Sequence, residues 1–239
     1  MNMNKVQQFK GKVSEHILIN DKFQYLHIEL MEPYRIEFKA GQFVSVDVGG
    51  EKRSYSIVSM PAMDHAIEIC VDVSLGGKGA TYLKNLKPGD VVSFLGPLGE
   101  FVIKEENKEK EKKLLLVATG SGIAPMRSMI LDLLEEKQDK RLIKLHWGLR
   151  FVKDMFWEDD FRRLHKYYDN FNFHLTLSKP PEKWPLCSGH VTRCVETEVE
   201  LGIDWGVYLC GNKAMIEEVK ELVQKKGVAK EQIYFEKFF

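Results

Sequence analysis

The sequence predicts two domains, an all-β domain followed by an α/β domain with a parallel sheet. Up to about residue 103, short apolar pieces alternate with turn signals and are rich in β-branched residues. Later, buried-strand runs alternate with segments of helical apolar spacing. The predicted domains are therefore 1–104 and 114–239, joined by a solvated, charged linker over 105–113 that has no apolar residue to anchor it.

The strands of the first domain are predicted from alternation bounded by turn signals such as KAGQ and LKPGD. The pieces are HILIN, QYLHIEL, QFVSVDV, AIEICVDV and DVVSFLG. Several short strands at regular spacing predict a closed barrel. One more strand-like piece, RSYSIVS at 53–59, carries an arginine, a tyrosine and serines where a buried strand is expected.

The second domain begins with KLLLVATG, a buried-strand run that ends in glycine, and continues with APMRSMILDLLEEK at helical spacing. Further strands are predicted at RLIKLHWG, NFHLTLS and GVYLCG. Helices are predicted around MFWEDDFRRLHKYY, GHVTRCVETEVE and AMIEEVKELVQKKG. Strands that alternate with helices imply a parallel sheet covered by helices on both faces.

Composition excludes several classes of function. The 239 residues, 44% of them hydrophobic, can bury a sizeable core, so we expect a monomer that folds alone. Thirty-five basic residues balance thirty-five acidic ones, so the chain has no net positive charge that would attract nucleic acid or anionic lipid. The sequence shows neither a signal peptide nor a long apolar span, which predicts a cytoplasmic protein without membrane contact.

The four cysteines are Cys70, Cys187, Cys194 and Cys210. They include no CxxC pair and no tight cluster of ligands, which argues against an iron–sulfur cluster or cysteine-bound zinc. Separate reduced thiols and no metal are therefore expected.

The turn VATGSGIAPM joins the first strand of the second domain to a helix. Exposed backbone N–H groups and the helix dipole at such a turn favour a phosphate. A tight turn that needs glycine for its dihedral angles is the alternative. The position after the first strand of a parallel sheet favours a dinucleotide site.

Taken together, five stretches resemble the ferredoxin-NADP(+) reductase family: RSYSIVS, GGKGATYLKNLKPGD with GPLGEF, TGSGIAPM, YLCGNKAM and EKFF. The resemblance covers essentially the whole chain in the right order. It implies a Greek-key barrel that binds FAD, a Rossmann-like domain that binds NADH or NADPH, and hydride transfer between the two rings. Single electrons are then expected to pass to ferredoxin or flavodoxin.

Three alternatives to this function stay open. They are a reductase of free flavin, a reductase component or subunit of an oxygenase or dehydrogenase complex, and a nucleotide-binding module without chemistry. FAD that stays bound through dialysis would argue against the first of these. A partner that co-purifies would favour the second.

The resemblance assigns the FAD site residue by residue. Arg53 reaches the pyrophosphate, Tyr55 lies against the isoalloxazine, and Ser56 offers a hydroxyl near flavin N5. Side chains alternate along a strand, so Tyr55 and Ser56 contact the flavin together only near a strand end or bend. Ala80 stands where the family usually has serine, and Thr81 is a candidate to compensate. The predicted FAD set is Arg53, Ser54, Tyr55, Ser56, Ser59, Gly77, Lys78, Gly79, Ala80 and Thr81.

The nicotinamide site is also assigned by resemblance. Cys210 matches the cysteine where nicotinamide stacks, and Glu236 matches an acidic residue that relays a proton near the flavin serine. Phe238 or Phe239 is expected to cover the flavin face. Ser56, Cys210 and Glu236 are thus the predicted catalytic residues. The other residues of this set are Thr119, Gly120, Gly122, Pro125, Gly211 and Met215.

Two cations bear on the choice of coenzyme. Arg150 follows the second strand of this domain and Lys179 follows the third. NADPH differs from NADH by a 2′-phosphate, which needs cations. The two residues favour NADPH slightly over NADH, although Arg150 also resembles a residue of NADH-using relatives.

Overall fold

A computed structural model describes residues 5–74 and 76–237 of the chain, which folds as two compact units. The first unit comprises the described residues up to Ile103 together with Ala124–Gln138. The second comprises Lys104–Ile123 and the described residues from Asp139 onward. No helix in the described part of the chain is long and apolar enough to cross a membrane.

The first unit is an antiparallel barrel. Its elements are β1 (Gln7–Leu18), β2 (Phe23–Glu32), β3 (Phe43–Asp47), β4 (Lys52–Ser56), β5 (Ala66–Asp72), α1 (Lys78–Asn85) and β6 (Val91–Leu98). The strand order β4-β3-β6-β1-β2-β5 places the ends of the sheet at β4 and β5. Directly after β4, a bridge between Ile57 and Ile69 joins these edges, and the Val58 N–H donates to the Glu68 carbonyl at 2.8 Å. The predicted barrel is thus confirmed.

Alternating side chains fill the barrel. In β3, Val44 and Val46 are fully buried whereas their neighbours are partly exposed. The rings of Phe9 and Phe94 stack across β1 and β6 with centroids 5.2 Å apart. The segment Ala124–Gln138 packs on the same unit, where the Ser128 hydroxyl donates to the Ser59 carbonyl at 2.6 Å.

The second unit is built on a parallel sheet, as predicted. Its strands are β7 (Lys113–Thr119), β8 (Leu142–Leu149), β9 (Phe171–Leu177), β10 (Cys187–Ser188), β11 (Trp205–Gly211) and β12 (Ile233–Lys237). The helices along this part of the chain are α2 (Ile123–Leu131, continued by a π-helical turn over Asp132–Glu136), α3 (Glu158–Tyr167), α4 (Val191–Glu198) and α5 (Lys213–Lys225). The strand order is β10-β9-β8-β7-β11-β12. Strand β11 is buried along its whole length, as a strand covered on both faces must be.

The charged segment before β7 differs from its prediction. It was expected to be solvated throughout, yet Glu111 is fully buried. The Tyr234 hydroxyl donates to Glu111 Oε1 at 2.7 Å, and the Lys104 N–H donates to the Tyr208 hydroxyl at 3.0 Å. Tyrosines of the paired strands β11 and β12, which lie far along the chain from this segment, therefore hold it on the second unit. Burial raises the pKa of Glu111.

The cysteine prediction is also corrected in part. Cys70 and Cys210 are free and buried, but Cys187 and Cys194 form a disulfide. Two histidines lie beside Cys194, a proximity that the sequence spacing does not show. One ligand atom each of Cys194, His146 and His174 lies within 4.8 Å of the others.

Candidate active site

In the first unit, the start of α1 packs against β4. A Cβ added at Gly79 would clash with the Tyr55 hydroxyl and would lie 2.9 Å from Arg53 Cγ. A larger residue here would have to displace the Tyr55 or Arg53 side chain, so glycine allows the helix to approach the strand this closely. The fold brings together the two sequence stretches to which an FAD site is assigned.

Two cations of this face share one carboxylate. The Arg53 guanidinium donates to Glu51 Oε2 at 2.6 Å, and the Lys78 ammonium pairs with Glu51 Oε1. Both cations hold the pKa of the exposed Glu51 below its ordinary value, Lys78 more strongly. Sequence reasoning missed Glu51, because an acidic residue beside a turn carries no signal of its own. The exposed Arg53 and Lys78 side chains suit a dianionic pyrophosphate.

The buried end of β4 presents a hydroxyl. Ser56 is the last residue of the strand and is buried, and its Oγ has no hydrogen-bond partner within the described residues. Tyr55 beside it is half-buried, and burial raises the pKa of its phenol to about 12, so the ring stays neutral. An orphaned hydroxyl, a neutral ring and two nearby cations fit FAD.

The remaining residues of the predicted FAD set lie around this face. Ser54 is exposed on β4, and Gly77, Lys78 and Thr81 are exposed at the start of α1. Ala80 packs against the barrel core. Ser59 is buried, and its Oγ accepts the Glu68 N–H at 3.2 Å, so this hydroxyl already has a partner within the barrel.

In the second unit, the strand order reverses between β7 and β11, and the carboxyl ends of both strands meet there. A Cβ at Gly122, just after β7, would clash with the Cys210 carbonyl. Thr119 Oγ1 accepts the Asn212 N–H at 3.1 Å and the Asn212 side-chain amide at 3.2 Å. Such a reversal is where open parallel sheets bind their ligands.

The buried thiol of the crevice has a carboxyl group as its neighbour. Cys210 is fully buried, and burial raises the pKa of its thiol well above the ordinary value. It pairs in register with Glu236 of β12. Burial raises the pKa of Glu236 to about 7. This carboxyl group can therefore both hold and release a proton near neutral pH.

Sequence reasoning missed two residues that shape the crevice. Asn212 caps α5, since its side chain accepts the Met215 N–H at 2.9 Å. An asparagine between a buried strand and a helical run is a readable cap signal. Trp147 donates its indole N–H to the Gly120 carbonyl at 3.0 Å. No local sequence pattern predicts the hydrogen bond between Trp147 and Gly120.

The other predicted nicotinamide residues are placed as follows. Gly211 ends β11 with a positive φ of 145°, and Pro125 lies in α2. The Lys179 N–H donates to the Arg150 carbonyl at 2.9 Å, so the loops after β9 and β8 run side by side with both side chains exposed. Phe238 and Phe239 lie outside the described residues.

Family models of known proteins match both parts of the chain. Residues 10–103 match the family model described as the oxidoreductase FAD-binding domain, and residues 116–221 match the oxidoreductase NAD-binding domain. Fold, site and models define an NAD(P)H-dependent oxidoreductase that binds FAD. The chain belongs to the ferredoxin-NADP(+) reductase family of flavoprotein reductases.

Among its relatives, the chain is 30% identical over 233 residues to one component of the Na(+)-translocating NADH-quinone reductase of Yersinia enterocolitica. This match covers 90% of the chain but 56% of the relative, so the chain spans little more than half of that component. It is 30% identical over 239 residues to the phenol hydroxylase P5 protein of Acinetobacter pittii, covering 98% of the chain and 66% of the relative.

Solved structures share the fold. The cytochrome P450 reductase GcoB of Amycolatopsis matches with a TM-score of 0.90 and 25% identity over 99% of this chain and 71% of that one. The ferredoxin-NADP+ reductase of Plasmodium falciparum matches with a TM-score of 0.76 and 19% identity over 97% and 96% of the two chains.

Proposed function

We propose that this reductase takes hydride from NAD(P)H and passes single electrons to ferredoxin or flavodoxin. In this proposal residues 1–104 carry FAD and residues 114–239 carry the nicotinamide coenzyme. The observation that carries it is the pair Cys210 and Glu236 in the crevice where the strand order reverses. A buried thiol beside a carboxyl group that titrates near pH 7 suits hydride transfer accompanied by a proton.

FAD supplies the electron chemistry, since it accepts two electrons as hydride and releases them one at a time. The chain's own residues hold and orient the reactants. Arg53 and Lys78 bind the pyrophosphate, and the Ser56 hydroxyl donates a hydrogen bond to the flavin ring. Glu236 holds a proton on its carboxyl group, and Cys210 packs against the nicotinamide.

A role as the reductase component of a larger complex is the second candidate. Its support is the resemblance to a component of the Na(+)-translocating NADH-quinone reductase and to the phenol hydroxylase P5 protein, both named for their complexes or hydroxylase systems. In that case the electrons pass to a carrier within the complex. A reductase of free flavin is a further alternative, but no separate observation favours it.

An acceptor panel separates these functions. The purified yellow protein is dialysed, reduced anaerobically with NADPH or NADH, and mixed with ferredoxin, flavodoxin or free FMN. Retained FAD and faster reoxidation by ferredoxin or flavodoxin than by FMN support the proposal. Loss of flavin on dialysis with rapid FMN reduction identifies a free-flavin reductase. Slow reoxidation by all three, with a co-purifying partner that is reduced quickly, identifies a component of a complex.

A further inference from the structure

A histidine in the middle of the parallel sheet has no hydrogen-bond partner among the residues that the structure describes. His146 of β8 is fully buried, and neither of its ring nitrogens has a partner in the described part of the chain. Buried polar atoms are nearly always paired, because burial without a partner is costly. Imidazole is also the commonest metal ligand in proteins.

A second histidine and a cysteine lie beside it. His174 of β9 pairs in register with His146, and the two rings stack with centroids 4.4 Å apart and planes 4° apart. Helix α4 covers this face, since a Cβ at Gly148 of β8 would lie 3.1 Å from Val191 Cβ. Cys194 of the same helix places its sulfur within 4.8 Å of a ring nitrogen of each histidine.

The fourth ligand group comes from the sheet edge. Cys187 of β10 pairs with Thr176 of β9 and is joined to Cys194, with the two Cα atoms 6.1 Å apart. The Thr176 hydroxyl is also buried without a partner in the described residues. Two sulfurs and two imidazoles thus meet between the sheet and α4.

We propose that His146, His174, Cys187 and Cys194 bind one Zn²⁺ when the two cysteines are reduced. Two sulfur and two nitrogen ligands are typical of tetrahedral zinc, with bonds of about 2.3 Å to sulfur and about 2.0–2.1 Å to nitrogen. Those bonds place ligand atoms roughly 3.3–3.8 Å apart. The ligand atoms of His146, His174 and Cys194 need to contract by only about an ångström, and the Cys187 sulfur is brought to them by its bond to Cys194.

Charge also favours this occupant. Two thiolates neutralise the dication, while two neutral imidazoles add no charge, so the complex carries no net charge. The two histidines come from the neighbouring strands β8 and β9, and the two cysteines come from the edge strand β10 and from α4. Zinc would therefore hold β10 and α4 on the sheet and close the loop 178–186, which connects β9 to β10.

The disulfide is then the metal-free form of the same site. A dithiol reductant breaks the Cys187–Cys194 bond, supplies two electrons and two protons, and becomes a disulfide itself. Zn²⁺ binds the two sulfurs and displaces both protons to solvent. A small-molecule disulfide reverses the sequence: the Cys187–Cys194 bond forms again, the oxidant takes up the two electrons, and the metal leaves.

The test uses the FAD-loaded protein, reduced with a phosphine that does not contribute thiols, supplied with Zn²⁺ and desalted. Elemental analysis is expected to find one zinc per chain, and X-ray absorption at the zinc edge two sulfur and two nitrogen ligands. A small-molecule disulfide should release the zinc as the Cys187–Cys194 bond forms. Absence of stoichiometric zinc, a coordination shell of oxygen and nitrogen alone, or zinc that stays after the bond has formed would overturn the proposal.

Variants assign the ligands. His146→Asn and Cys194→Ser should each abolish stoichiometric Co²⁺ binding, which is read from tetrahedral absorption bands at wavelengths longer than those of the flavin. The matched changes His65→Asn, at an exposed histidine, and Cys70→Ser, at a buried cysteine of the barrel, should leave it intact. Unchanged binding by both ligand variants would contradict the assignment. If a variant fails to fold, the zinc-edge spectrum of the unaltered protein decides alone.

Discussion

The face formed by β4 and α1, where we propose that FAD binds, differs in its binding groups from the crevice formed by β7 and β11, where we propose that the nicotinamide coenzyme binds. The first presents exposed cations, Arg53 and Lys78, which share the carboxylate of Glu51. The second is lined by closely packed backbone at Gly122 and Cys210, with Glu236 as a partly buried acid. Direct charge pairing suits a cofactor that is retained, whereas a backbone crevice suits a coenzyme that exchanges. The following changes test that difference.

Removing a cation from the β4 face should have the largest effect. Arg53→Ala loses a charge-assisted contact of ~1.5–3 kcal/mol, which weakens FAD binding roughly 10- to 100-fold. Flavin content after gel filtration and titration of the apoprotein measure the loss. Lys52→Ala, at the neighbouring exposed cation, serves as the control. Equal flavin retention in Arg53→Ala and the unaltered protein would remove Arg53 from the site.

Filling the crevice should affect only the coenzyme. In Gly122→Ala the added methyl group meets the Cys210 carbonyl and pushes the two sides of the crevice apart. This overpacking, at ~1–2 kcal/mol, should weaken coenzyme binding and raise the KM for NAD(P)H about tenfold. Flavin content should not change. Gly202→Ala is the matched control, because among the described atoms its Cβ would approach Asp204 Oδ1 alone, at an ordinary contact distance of 3.6 Å. Lost flavin with an unaltered KM would reverse the assignment of the crevice.

Cys210→Ala should slow flavin reduction about fivefold, the equivalent of ~1 kcal/mol in the barrier, while FAD binding stays the same. Cys210 lies near the carboxyl end of β11, beside the crevice, so loss of its thiol should leave a gap next to the proposed nicotinamide position. Stopped-flow reduction measures the rate, with Cys70→Ala as the buried-thiol control. An unaltered rate would leave Cys210 a simple core residue.

The effect of Glu236 on stability should depend on pH. Its pKa is about 7 in the folded protein and about 4.5 ordinarily, so the folded state binds the extra proton between these values. Stability therefore falls as pH rises through this window, and Glu236→Gln should be more stable than the unaltered protein at pH 8 by ~1–2 kcal/mol. Below about pH 4 the difference should vanish, because both states are protonated.

Urea denaturation at the two pH values measures this difference. Glu217→Gln is the contrasting control, since that carboxylate pairs with Lys237 and Lys220, which lower its pKa. It should bring no gain at pH 8. A Glu236→Gln variant that is less stable than the unaltered protein at pH 8 would show that the carboxylate is stabilised there.

The smallest effect is expected at the coenzyme's 2′-phosphate. Lys179→Ala should raise the KM for NADPH only about two- to fivefold, because an exposed cation contributes ~0.5–1 kcal/mol. The KM for NADH should stay almost unaltered, and the NADPH effect should shrink with added salt. Lys183→Ala, in the same loop, is the control. Equal losses with both coenzymes, or faster reduction of the unaltered protein by NADH, would overturn the preference for NADPH.

Much of this could be predicted from the sequence, because alternation and helical spacing are local signals. The two-residue β10 and the five-residue β12 are too short to show such signals and were missed. Glu111 was predicted to be solvated because it lies in a run of charged residues. Its burial depends on a hydrogen bond from Tyr234, which lies 123 residues further along the chain and gives no local signal. The neighbours of His146 follow from strand register and from the position of α4, neither of which a single sequence displays.

Anaerobic stopped-flow mixing with NADPH and, separately, NADH tests the central claim most directly. The account predicts that the absorbance of the bound FAD bleaches in one reductive step, at a rate that saturates with coenzyme concentration. Flavin that stays oxidised with both coenzymes, in protein that retains FAD, would contradict it.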